Sequence, residues 1–254
     1  MYSFPRITKN PIGTIQTAES GLCSDKNGNV WISSQVGKGF DMIEYAHGGT
    51  NAIAQLSAGT PWGCAVDSKS GDLAVANTGL ASQNGYVAIY RKAEGKPEIF
   101  SDPNISNFYY CAFDKNGNLL AQGRSTASSH IVYAELPRGE RKLQDVGGTV
   151  SGSLPAGVQW DGTYFVVGYQ DFNTVYRYTI VNVQATLEGQ ITLDPAGTFS
   201  LVGFSIDGNK LAGTSQSSNV YRVAAFPYPE GGSSTYHHLI GAPSGLTVSV
   251  APHS

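Results

Sequence analysis

A seven-residue motif recurs six times along the chain at nearly constant spacing, and no other feature limits the fold so strongly. Its copies read ESGLCSD (19–25), PWGCAVD (61–67), FYYCAFD (108–114), PAGVQWD (155–161), LVGFSID (201–207) and PSGLTVS (243–249). Their last residues lie 42, 47, 47, 46 and 42 positions apart. Within the motif the third position before the anchor is always apolar (Leu22, Cys64, Cys111, Val158, Phe204, Leu246). The position after it is small or polar (Cys23, Ala65, Ala112, Gln159, Ser205, Thr247), and the next is apolar in all copies but the first, which has Ser24. Alternation of this kind predicts a half-buried strand. Gly stands four positions before the anchor in every copy but one, which has Tyr110.

The residues after each anchor repeat as well. The pentapeptide DKNGN occurs at 25–29 and 114–118, and the other anchoring aspartates are likewise followed within a few residues by Gly. An Asp that hydrogen-bonds the backbone ahead of it, with a Gly free to take positive φ, makes a tight turn. A second strand comes next (NVWISS, DLAVAN, NLLAQG, YFVVGY, KLAGTS), then a tyrosine-marked third (MIEYAH, VAIYRK, IVYAEL, VYRYTI, VYRVAA). A fourth strand returns (AIAQLS, PEIFSD, RKLQDV, GQITLD, HHLIGA). Four strands per repeat of 40–50 residues is the pattern of a propeller blade. The chain is therefore expected to be a single all-β domain over 1–254, a six-bladed β-propeller of four-stranded antiparallel blades. Residues 1–17 carry Tyr2 where a third strand has its tyrosine and would join the lone first strand 243–249 in a sixth blade closed by both termini. That blade would be one strand short, since only 30 residues separate Ser249 from Asp25 around the closure.

Composition agrees and excludes some functions. The chain has 31 Gly, 14 Tyr and 10 Phe, while charged residues make up 14% against a typical ~25%. A net charge of −3 and the absence of a basic run argue against nucleic-acid binding. No apolar stretch is long enough to span a bilayer as a helix. No leader-like segment is visible, and an extracellular or periplasmic location is expected on the view that a leader lies outside this sequence. Three cysteines make neither a disulfide framework nor a metal-knuckle spacing, so Cys64 and Cys111 read as small apolar core residues and Cys23 as an occupant of a small-residue slot.

The motif P-x-G-apolar-small-apolar-D, repeated around a ring, resembles the NHL-repeat propellers and their senescence-marker and gluconolactonase-like relatives over essentially the whole chain. That architecture hosts hydrolases, lyases, sugar binders and interaction scaffolds alike. In such a ring the loops entering the first strand and leaving the second crowd one face. Here they bring Trp62, Phe108, Tyr109, Gln122, Arg124, Tyr169, Phe199 and Gln216, an aromatic and polar surface suited to a small polar molecule, a glycan or a protein. The resemblance also implies a channel metal held by oxygen ligands, for which Glu19, Asn77 and Asp171 would serve with Ca²⁺ or Mg²⁺. The family's Glu-Gly-Pro entry is absent, since Ser20 and Gly21 follow Glu19, and an exposed loop carboxylate is the favoured reading. No nucleophile elbow, P-loop or convergent histidine set occurs. The expectation is a non-catalytic, monomeric binding propeller without a cofactor; the alternative is a divalent-metal-dependent lactonase-like hydrolase.

Overall fold

The structure, a computed structural model, describes residues 15, 21–80, 83–170, 172–195, 197, 199–217, 220–232, 234, 236–239, 242–243 and 245–250. These residues form five antiparallel sheets of four strands, each strand pairing with the next in sequence. Blade 1 contains β1 (Leu22–Ser24), β2 (Val30–Val36), β3 (Gly39–Tyr45) and β4 (Ala52–Ala58). Blade 2 contains β5 (Pro61–Val66), β6 (Leu73–Asn77), β7 (Tyr86–Tyr90) and β8 (Glu98–Phe100). Blade 3 contains β9 (Ile105–Phe113), β10 (Leu119–Ser125), β11 (Ile131–Leu136) and β12 (Gln144–Val146). Blade 4 contains β13 (Pro155–Trp160), β14 (Phe165–Tyr169), β15 (Thr174–Val181) and β16 (Gln184–Thr192). Blade 5 contains β17 (Leu201–Asp207), β18 (Lys210–Ser217), β19 (Val220–Pro227) and β20 (Tyr236–His238). No helix among the described residues is long and apolar enough to cross a membrane.

Blades 2, 3 and 4 bury both faces against their neighbours and blades 1 and 5 one face each, so the core of the described residues is a series of apolar layers between blades. Trp31 and Met42 of blade 1 meet Leu73, Val75 and Tyr90 of blade 2. Ala74, Ala76 and Ile89 on the other face of blade 2 meet Phe108, Leu119 and Ala121 of blade 3. Further layers join blades 3 and 4 and blades 4 and 5. Burial on both faces explains why the second strands read as nearly continuous apolar runs, where a one-sided sheet would alternate.

Inner strands of successive blades lie side by side. The recurrent glycine permits this. A methyl group on Gly21 would lie 2.7 Å from the Trp62 carbonyl oxygen, and one on Gly63 would lie 2.5 Å from the Tyr109 carbonyl oxygen. The DKNGN segments are turns, as expected. Asp25 Oδ1 accepts from the Asn27 and Asn29 amides at 2.9 and 2.8 Å, and Asp114 Oδ1 from those of Asn116 and Asn118 at 2.7 and 2.8 Å. Gly28 and Gly117 take φ of 80° and 86° to close them.

Two expectations need correction. Five four-stranded blades, not six, are present among the described residues. Residues 1–17, expected to supply outer strands of a sixth, lie outside the described residues apart from Ile15. Residues 245–250 form no strand pairing among the described residues; instead they run between blades 5 and 1. There Ser205 Oγ accepts from the Val248 amide at 3.1 Å, and Ser24 Oγ donates to the Val248 carbonyl at 2.7 Å. The second correction concerns the cysteines: Cys23 and Cys64 form a disulfide with Cα atoms 5.5 Å apart. The reason lies in the motif. The third position before the anchor faces the preceding blade, as Cys111 and Val158 show, and the position after it faces the next, as Ala112 shows. Cys23 and Cys64 occupy these two slots in adjacent blades and so face each other. Cys111 remains a buried free thiol, and burial pushes its pKa up to about 12.

The disulfide closes a loop with a sequence separation of 41. Its loss in Cys23→Ser/Cys64→Ser should lower the unfolding free energy by about 4 kcal/mol in a denaturant titration. No thiol of the native protein should react with Ellman's reagent at neutral pH, and one should react after unfolding without reductant. Burial, then the charge of Asp114, raises the Glu135 carboxyl above its ordinary 4.5. The folded state thus holds this proton more tightly than the unfolded chain, so the residue's contribution is most favourable in acid and declines as pH rises from 4.5 through the raised value. Glu135→Gln should therefore raise the melting temperature at neutral pH, and the gain should vanish below pH 4.5.

Candidate binding face

On one face of the ring every inner strand begins and every second strand ends; this is the mouth face. Each of β5, β9, β13 and β17 carries a β-bulge next to its beginning or within its first half. The register skips Trp62 in β5, Tyr109 in β9, Ala156 in β13 and Val202 in β17. All four occupy the same place in the motif, five residues before the anchor. A bulge re-aims the side chain that it frees from the ladder, and in blades 2 and 3 that side chain is aromatic.

Trp62 and Tyr109 meet edge to face, with ring centroids 5.4 Å apart and planes at 73°. Trp62 keeps 36% of its surface exposed. Arg124, near the end of β10, donates from Nε to Tyr109 Oη at 3.0 Å and from Nη1 to the Ser129 carbonyl at 3.2 Å. Its guanidinium carbon lies 5.9 Å from the centre of the Tyr109 ring, within reach of a cation–π attraction. Beneath this group, burial raises the Tyr110 phenol, and a hydrogen bond with Trp62 acts against that rise. His130 Nδ1 and Ser151 Oγ, 3.0 Å apart, continue the polar rim. Apolar side chains gather on the same face. Ten large hydrophobic residues are exposed among those described, and five of them, Val36, Trp62, Leu80, Leu154 and Phe172, lie here.

The structure redistributes the other residues expected at this face. Phe108 is wholly buried between blades 2 and 3, and Phe199 between blades 4 and 5 with its ring 5.1 Å from Phe226. Both serve the core: the bulge at Tyr109 leaves Phe108 facing blade 2, and Phe199 packs on Phe226. Gln122 and Tyr169 are also buried and belong to a polar chain inside the layer between blades 3 and 4. Gln122 Nε2 donates to Tyr133 Oη at 2.8 Å, Tyr133 Oη to Tyr169 Oη at 2.9 Å, and Tyr169 Oη to the Val150 carbonyl. Burial drives the Tyr133 and Tyr169 phenols upward. Gln216 is exposed near the end of β18. The apolar contributions of Leu80, Leu154 and Phe172 were not expected from the sequence, where aromatic and polar loop residues marked the face.

Of the three residues implied as metal ligands, Asn77 alone is described. Its Oδ1 accepts from the Thr60 amide at 2.9 Å and its Nδ2 donates to the Val75 carbonyl at 2.9 Å, so the buried amide is occupied at both ends. Glu19 and Asp171 lie outside the described residues. Among the described residues no three His, Cys, Asp or Glu side chains are grouped to hold a metal ion.

No protein-family model and no curated protein matches the sequence. Solved structures do. A nidogen/laminin complex contains a chain 14% identical, aligned over 91% of this chain and 84% of its own with a TM-score of 0.66. Regucalcin from Agrobacterium tumefaciens, described as a calcium-binding protein, is 12% identical over 94% of this chain and 80% of its own, with a TM-score of 0.62. A functionally unknown protein from Desulfotomaculum acetoxidans is 14% identical over 93% and 76%, with a TM-score of 0.58. The fold is a β-propeller. At such identities the likeness extends to fold alone.

Tyr133 both accepts from Gln122 and donates to Tyr169, so removing its hydroxyl strands the buried Gln122 amide hydrogen and leaves Tyr169 Oη only its bond to the Val150 carbonyl. Tyr133→Phe should cost about 2 kcal/mol in chemical denaturation. Adding Gln122→Leu should recover part of that loss, because the amide already leaves Oε1 without a partner among the described residues.

Proposed function

We propose that this propeller is a non-catalytic binding protein and that its mouth face docks a protein partner. The observation that carries the reading is the exposed Trp62–Tyr109–Arg124 group on the mouth face, which also carries four other exposed large hydrophobic residues among those described. Trp, Tyr and Arg are the residue types that dominate the energetics of protein interfaces. Here the tyrosine hydroxyl and the Ser129 carbonyl hold the arginine in place, so little side-chain freedom is lost on binding. The occurrence of a similar propeller in a complex of nidogen with laminin supports a protein as the partner class. The hydrolase alternative has less support, since Asn77, its one described ligand, lies among hydrogen bonds to Thr60 and Val75 and no acidic group of the described residues gathers with it.

Two further elements belong to this reading. The Cys23–Cys64 disulfide supports work in an oxidising compartment, outside the cell or in the periplasm. The position of residues 245–250 between blades 5 and 1 supports a sixth blade site in the ring, with this segment as its innermost strand.

The test is capture of partners from an extract of the source cells on immobilised protein, with Trp62→Ala and Arg124→Gln beside the parent. Either variant should lose about 2 kcal/mol of binding, close to thirtyfold, with an unchanged melting temperature. Capture that both variants retain would contradict the proposal. Elemental analysis and melting with EDTA complete it. A divalent ion at one per chain, whose removal lowers the melting temperature, would restore the hydrolase reading.

A further inference from the structure

The five blades protect their outer edges unequally. β8, β12 and β20 have three residues each. β16 has nine, but Glu188 is bulged out of its ladder, and neighbours bridge both its ends, Gly147 to Gln184 and Gly232 to Leu193. Short edges, bulges and covered ends are devices that prevent strand addition. β4 has a bulge at Ile53, and beyond it only the Ser57 carbonyl is met by a neighbouring blade among the described residues, through Tyr90 Oη. From Ala54 to Ala58 it pairs without interruption with β3, from Glu44 back to Phe40. The five residues AQLSA contain no charge and no proline, and no described residue pairs with their outer edge.

The segment is also held rigidly. Tyr90 Oη of blade 2 donates to the Ser57 carbonyl at 2.6 Å, and Gln55 Nε2 donates to Asp41 Oδ2. Ala54, Leu56 and Ala58 pack on the layer between blades 1 and 2, while Gln55 and Ser57 are exposed on the opposite side.

We propose that β4 is the docking edge for a second copy of this chain, paired antiparallel about a two-fold axis through Leu56. The segment is nearly palindromic, and this favours a second copy over an unrelated strand. In that pairing Ala54 faces Ala58 of the second copy, Gln55 faces Ser57, and Leu56 faces its own mate. Two-fold contacts require such self-complementarity. The apolar layer then continues across the axis through the paired leucines, and amide meets hydroxyl on the outer side. The axis lies on the ring's periphery, so the contact uses none of the mouth residues.

Sedimentation of the full chain across the micromolar range tests this. The parent should sediment as a dimer. Gln55→Glu/Ser57→Glu sets like charges directly opposite each other, beside Asp41, and should be monomeric. Gln55→Lys/Ser57→Glu sets Lys opposite Glu and should dimerise again, with an association that salt weakens. Melting curves confirm that both variants are folded. A parent monomeric at every concentration overturns the proposal, as does a dimer that survives in the Glu/Glu variant. Two folded but monomeric variants also overturn it.

Discussion

The close approach of neighbouring inner strands is the contact on which the rest of this molecule depends. Backbone meets backbone there, and the room exists because Gly21 and Gly63 have no side chain. Their nearest neighbours are the carbonyls of Trp62 and Tyr109, the two residues whose bulges place aromatic rings on the mouth face. Ring geometry and binding face thus share one constraint. The spacing that packs the apolar layers also brings the two rings to 5.4 Å and sets Tyr109 where Arg124 reaches it. At Gly203 the neighbour stands farther off, since an added methyl group would meet Gly245 at 3.5 Å, an ordinary contact, so the tight approach is a property of the first three blades.

Polar groups in the layers divide by what surrounds them. The turn aspartates Asp25 and Asp114 accept from backbone amides of their own turns, one per blade. The chain from Gln122 through Tyr133 and Tyr169 is buried and directional, each hydroxyl accepting from one neighbour and donating to the next. Such networks fix one packing of two blades against each other, because a rotated arrangement would strand several groups at once. Blades 1 and 2 are joined differently, by a covalent link between their inner strands from Cys23 to Cys64.

Blade boundaries, the four strands of each repeat and the turn role of DKNGN were legible because they rest on local alternation and turn chemistry. The disulfide was legible in principle and missed: it required knowing that successive motif positions face opposite neighbours, which places Cys23 against Cys64. Burial of Phe108 beside a half-buried Tyr109 was not legible, because a one-residue bulge reverses the alternation there and has no signature in the sequence. Phe199 failed for a related reason. A residue just ahead of a first strand can point into the layer or out of the mouth, and only packing against Phe226 decides. Leu80 and Phe172 stand in loops that leave second strands, so their face was legible, but their apolar contribution to it was not.

The most direct measurement compares Gly63→Ala with Gly39→Ala by chemical denaturation and near-ultraviolet circular dichroism. At Gly39 the nearest atom to an added methyl group is 4.0 Å away, whereas at Gly63 it is the Tyr109 carbonyl oxygen at 2.5 Å. Gly63→Ala should cost about 2 kcal/mol or more and alter the aromatic signal of the Trp62–Tyr109 pair, while Gly39→Ala should leave both unchanged. Equal stability and identical spectra for the two variants would contradict the claim that this strand contact builds the binding face.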